Sequence, residues 1–168
     1  MKTQGKGKAV VWLELVASSG RIRVAADGST DTFPLPIGTS AVAALFRRDP
    51  PTEGELETAI ELIEEAVMPL AIKVPRGAVL VACSERAREL VNLSTGSGAR
   101  NVASLDAVEA SFEQMALAVR RGAWSRELRM DASLCAGLLI LREFMHHTGF
   151  GGIEVRDAIA FTANEAEG

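Results

Sequence analysis

Tyrosine is absent from the chain, and histidine, cysteine and tryptophan occur only twice each. These shortages narrow the chemistry. With no phenol and two imidazoles, general acid–base work falls mainly to carboxylates and lysines, and no Ser-His-Asp set can be assembled. Cys83 and Cys135 form no CxxC pair and have no histidine close by, so no metal site and no cofactor is expected from them. Both stand in apolar stretches and read as buried free thiols of a reducing compartment. Basic charge is in deficit: 18 Lys and Arg against 22 Asp and Glu give a net charge of −4. A nucleic-acid binder needs a basic face to neutralise phosphates, so no nucleic-acid partner is expected; Arg47-Arg48 and Arg120-Arg121 stand among acids as solvated surface charge. No apolar run approaches the ~18 residues of a membrane span, which excludes a membrane partner of that kind. The start, MKTQGKGKAVVWLELVASSG, has the outline of a secretory leader. Glu14 interrupts its apolar stretch, however, and the residues beyond alternate as a strand does, so a cytoplasmic location is expected.

What is present is an ordinary globular composition, 48% hydrophobic and 24% charged. The length suits one domain, residues 1–168, of a size that buries roughly 70% of its unfolded surface without staples. Residues 1–8 are polar and Gly/Lys-rich and are expected to fray. Ala9 to Val16 reads as a buried strand, Arg21 to Ala25 as a half-exposed one, and Asp27-Gly28 as a hairpin turn into a third strand from Asp31 to Leu35. A short helix follows over Thr39 to Arg47, stopped by Pro50-Pro51. Thr52 and Glu55 make a capping box. In the next helix Leu56, Ile60, Ile63 and Val67 form one apolar stripe, while Glu57, Glu61, Glu64 and Glu65 make a solvated face rather than a metal site. Gly77 to Cys83 is apolar throughout, as a central strand would be. Ser84, Ser104 and Asp131 are N-caps of helices running to Leu93, to Arg121 and to the HHTG stop. His146 and His147 there suit a helix C-terminus as cations and point about 100° apart. Ser94 to Arg100 is a Gly/Ser connector, not a Walker loop. A strand over Ile153 to Arg156 closes the domain.

The order β-β-β-α-α-β-α-α-α-β predicts an α/β fold of the ribonuclease-H-like plan, half of an actin-like fold. Its sheet is expected to be mixed and five-stranded, opening with an antiparallel three-stranded meander.

The stretch from Leu35 to Phe46, LPIGTSAVAALF, followed by DPPTEGELE, resembles a segment of the exopolyphosphatase and guanosine pentaphosphate phosphohydrolase (Ppx/GppA) family. RMDASLCAGLLIL (Arg129 to Leu141) and GGIEVRD (Gly151 to Asp157) are similar to that family's Arg-x-Asp helix and following strand. The similarity runs collinearly along nearly the whole chain and corresponds to the second lobe of a two-lobed domain. The resemblance implies a phosphate turn, Asp-Ile-Gly-Gly-Gly-Ser-Thr-Glu in the family, at Glu14 to Arg21. Here Val16, Ala17 and Ser18 replace the three glycines, and Gly20 and Arg21 replace Thr and Glu. Side chains stand where bare backbone should approach phosphate. The family's second phosphate turn falls on Ser84 to Ala87, where Glu85 would repel phosphate, and its closing Gly-rich segment has become AIAFTANEAEG. The family's general base belongs to the first lobe, which no part of this sequence matches.

The expected function is therefore that of a non-catalytic relative of the second lobe, without catalytic residues. It would act as a binding, regulatory or oligomerising module: a homodimer, or a chain docked on a protein partner that covers the face of the missing lobe. One alternative is a phosphohydrolase or phosphate binder whose cleft is rebuilt by dimerisation and lined by Glu14, Ser18, Ser19 and Gly20. Another is a ribonuclease-H-type nuclease, with Glu14 joined by Asp131 or Glu85 around metal.

Overall fold

A computed structural model describes residues 8–96, 101–122 and 130–157. The meander forms as the pattern requires. β1 (Val10–Leu15) pairs antiparallel with β2 (Gly20–Ala26), which pairs antiparallel with β3 (Ser29–Leu35). Asp27 and Gly28 both take positive φ, 50° and 81°, the backbone that a two-residue turn of matching twist demands. β3 begins two residues earlier than its apolar pattern shows, because its exposed half, Ser29 to Thr32, carries no hydrophobic signal.

α1 (Thr39–Ala43) is shorter than expected; Leu45 and Phe46 continue it only as turns, bonding back to Val42 and Ala43. α2 (Glu53–Ala71) starts at the capping box, with Thr52 Oγ1 accepting from Glu55 N–H and the Glu55 carboxylate accepting from Thr52 N–H. β4 (Val79–Ala82) lies parallel to β1. α3 (Glu85–Thr95) outruns its expected end at Leu93, since Ser94 and Thr95 turn their hydroxyls onto the Leu90 and Val91 carbonyls and stay helical. β5 (Val102–Ser104) leads into α4 (Leu105–Arg121), and α5 (Ala132–Thr148) leads into β6 (Gly152–Val155).

The sheet is six-stranded, in the order β3-β2-β1-β4-β6-β5, not five-stranded. The added edge strand, β5, runs antiparallel to β6. It is three residues long with only Ala103 buried, too short for alternation to reveal.

One hydrophobic cluster joins the five described helices to strand residues of a single parity, among them Val11, Leu13, Ile22, Val24, Leu80, Ala82, Ile153 and Val155. The described helices therefore lie on one face of the sheet. α5 is the innermost: ten of its residues are buried, including the charged Glu143. The other parity holds Trp12, 3% exposed, with the guanidinium of Arg23 5.8 Å and that of Arg156 5.7 Å from its ring. Cys135 is buried as expected, but Cys83 is only half-buried, since it sits beyond the end of β4. No helix among the described residues is long and apolar enough to cross a membrane. The expected fraying of residues 1–8 concerns, apart from Lys8, positions outside the described residues, as do the second half of the Gly/Ser connector and the AIAFTANEAEG segment.

Candidate functional site

The turn between β1 and β2 stands at the carboxyl end of the parallel strands, the end at which open α/β sheets form their crevices. Val16, Ala17, Ser18 and Ser19 make it, all exposed. It closes on one internal hydrogen bond, from Val16 N–H to Ser19 C=O at 3.3 Å. Two of its carbonyls are held by the start of α1: Val16 accepts from Thr39 N–H at 3.2 Å and Ala17 from Ser40 N–H at 2.8 Å. Gly38, at the N-cap of α1, makes that approach possible. A Cβ there would lie 2.5 Å from Ala17 O, Ser18 C and Ser19 N, where ordinary contact begins at 3.4 Å.

Glu14, Val16, Ser19, Gly20 and Arg21 line an open hollow of about 260 Å³ beside the turn. Glu14, Ser19 and Gly20 are thus brought together, while Ser18 is at the exposed tip and outside the lining. Glu14 is ion-paired with Arg21, its register partner across the hairpin. Gly20 is a buried strand residue whose Cβ would meet Glu14 O at 2.9 Å and Leu35 Cδ2 at 3.1 Å, so its bareness serves packing. Cys83 faces the same end: burial, and then the Glu14 charge, push its thiol above the ordinary cysteine value.

No residue from Glu14 to Arg21 has positive φ. An anion-binding nest needs successive N–H groups turned inward by alternating right- and left-handed backbone. Glycines, which the resemblance implies here, give that freedom; Val16, Ala17 and Ser18 do not. At the second expected phosphate turn, the N-terminus of α3 is closed by its own residues. Ser84 Oγ accepts from Ala87 N–H at 3.1 Å, and Glu85 places an acid in the first turn. Glu14, Glu85 and Asp131 do not gather into a metal-sized cluster; Asp131 instead caps α5, accepting from Leu134 N–H at 2.6 Å.

One group of metal-ligating side chains does assemble among the described residues, away from the turn: Glu64, Glu143 and His147. It joins the middle of α2 to the last turns of α5. Sequence reasoning assigned Glu64 to a solvated face and His147 to a helix end. Only the i, i+4 spacing of Glu143 and His147 could have signalled a shared helix face.

The fold defined by this sheet and these helices is that of solved Ppx/GppA structures. The chain matches the Aquifex aeolicus PPX-GPPA enzyme with a TM-score of 0.70 at 18% identity, over 92% of this chain and 55% of that one. An exopolyphosphatase-like protein matches with a TM-score of 0.71 at 11% identity, over 96% and 62%. An exopolyphosphatase from Cytophaga hutchinsonii matches with a TM-score of 0.68 at 15% identity, over 95% and 58%. The chain thus spans little more than half the length of these structures. No protein-family model matches it, and no curated protein matches it in sequence.

Proposed function

We propose that this chain is a non-hydrolysing relative of the Ppx/GppA second lobe, acting as a binding or oligomerising module whose lobe-facing side is covered by a second copy or another protein. The observation that carries this reading is the backbone of the Glu14–Arg21 turn. It has no left-handed residue and no glycine at its tip, and two of its carbonyls are tied to α1. Val16, 44% exposed at that turn, offers an apolar contact where the phosphohydrolases offer amides. Glu14 is occupied by Arg21 and is not set to activate water.

The test is a release assay with polyphosphate, ATP and guanosine pentaphosphate, with and without Mg²⁺, alongside light scattering of the eluted protein. No phosphate release and a mass above one chain are expected. Metal-dependent turnover by a monomer refutes the reading.

A second reading, a phosphate-ligand binder, is favoured by the hollow beside the turn and by the Ser19 hydroxyl at its edge. A rise in melting temperature with polyphosphate, lost in Ser19→Ala and Arg21→Ala, would select it.

A further inference from the structure

We propose that the face of the sheet turned away from the described helices is a docking surface for the chain's own residues 158–168. The two central strands are apolar on both sides. Val11, Leu13, Leu80 and Ala82 enter the core with the helices; Val10, Trp12, Val79 and Val81, paired in register, point the other way. A sheet with two apolar faces needs a cover on each. The register sets out what the second cover meets. Arg23, Trp12, Val81 and Glu154 are successive partners across β2, β1, β4 and β6. The first three are buried, although the five described helices lie on the opposite face. Arg23 and Arg156 stand 5.8 and 5.7 Å from the centre of the Trp12 ring. That is the margin of the about 6 Å reach of a cation–π contact, so they flank the ring and do not seal it.

Position, reach and charge identify the occupant. β6 releases the chain beside this row: Arg156 N–H donates to Ala82 C=O at 2.9 Å, and its guanidinium is one of the two at Trp12. From β6 to Arg23 on β2 is three strand spacings, about 14 Å. A stretch of the length of 158–168 spans about 16 Å at the helical rise and up to about 36 Å when extended, so it reaches in either form. Its sequence, AIAFTANEAEG, places Ile159 and Phe161 near the exit and Glu165 and Glu167 farther along. The face offers the same order, Val81 and Trp12 first and then Arg23. A guanidinium taken out of water calls for acid charge beside it. The other stretches outside the described residues carry the wrong sign: 1–7 has two lysines and no acid, 97–100 an arginine and no acid, and 123–129 two arginines against one glutamate.

Hydroxyl-radical footprinting of the full chain, read by mass spectrometry, tests the docking. In the wild type Trp12 should be protected, as should Met115 and Met145 in the core on the helix side. Ile159→Ser with Phe161→Ser should label Trp12 several-fold faster while Met115 and Met145 stay protected, which also shows that the variant folds. Glu165→Gln with Glu167→Gln, a milder change, should lower the melting temperature of the wild type but not that of Arg23→Gln. If the first variant also labels Met115 and Met145, the glutamate pair decides. Rapid labelling of Trp12 in the wild type overturns the proposal, as does protection that survives the Ile159 and Phe161 changes, or an equal loss in both Arg23 backgrounds. Protection that instead rises with protein concentration gives the face to a second copy and overturns it too.

Discussion

Gly38→Ala tests whether the β1–β2 turn and α1 form one rigid unit. The added Cβ would sit 2.5 Å from three backbone atoms of the turn. None of them belongs to a side chain that could swing away, so the turn and the helix start must separate by about an ångström. Overpacking of this kind typically costs about 1–3 kcal/mol. Separation also strains the bonds from Thr39 N–H to Val16 C=O and from Ser40 N–H to Ala17 C=O, each worth about 0.5–1.5 kcal/mol. A loss of about 3 kcal/mol is expected, a fall of roughly 6–12 °C in melting temperature for a domain of this size. Gly54→Ala supplies the control. It adds the same atom inside α2 where nothing lies within 4 Å, and should gain about 0.5 kcal/mol through helix propensity. The assay is thermal and urea unfolding of both variants. A Gly38→Ala protein that melts with the wild type refutes the packing argument, and so does an equal loss in Gly54→Ala.

Arg142→Ala should cost about 3 kcal/mol by leaving the buried Glu143 without its guanidinium, read as a lower urea midpoint; Arg142→Lys should recover part of it, and an unchanged midpoint would disprove the pairing. The Glu55 carboxyl is held below the ordinary carboxylate value of 4.5 chiefly by the Thr52 backbone N–H. Because the folded value is the depressed one, the stability it lends is complete above about 4.5 and is lost as pH falls through the folded value. An NMR titration of Glu55 should show the depression, and Thr52→Ala, which keeps that backbone donor, should preserve most of it. Cys83 should react with a thiol reagent more slowly than free cysteine, and faster in Glu14→Gln, since burial and the Glu14 charge both raise its thiol. Cys135, fully enclosed, should react only on unfolding.

Most of the fold is legible in local chemistry. Thr52 with Glu55, Ser84, Ser104 and Asp131 each cap the helix they were read to cap, because a cap is decided within four residues of chain. Asp27-Gly28 fixes its hairpin for the same reason. The larger misses are non-local. β5 exists only because β6 offers it an edge, and three residues of pattern cannot announce that. The resemblance points to Glu14, Ser19 and Gly20 together, yet it cannot show that α1 takes up the turn's carbonyls. Glu64 and His147 meet only across the α2–α5 seam, so reading each helix by itself assigns both to solvent.

The one-sided arrangement of the helices makes Trp12 an intrinsic optical probe. Its indole lies between two guanidiniums on the face that the described helices leave alone. Anything that moves Arg23 or Arg156 changes the charge around the ring, and its emission will register it. With Trp124 replaced by phenylalanine, the fluorescence of a single native residue would follow those movements without any attached label.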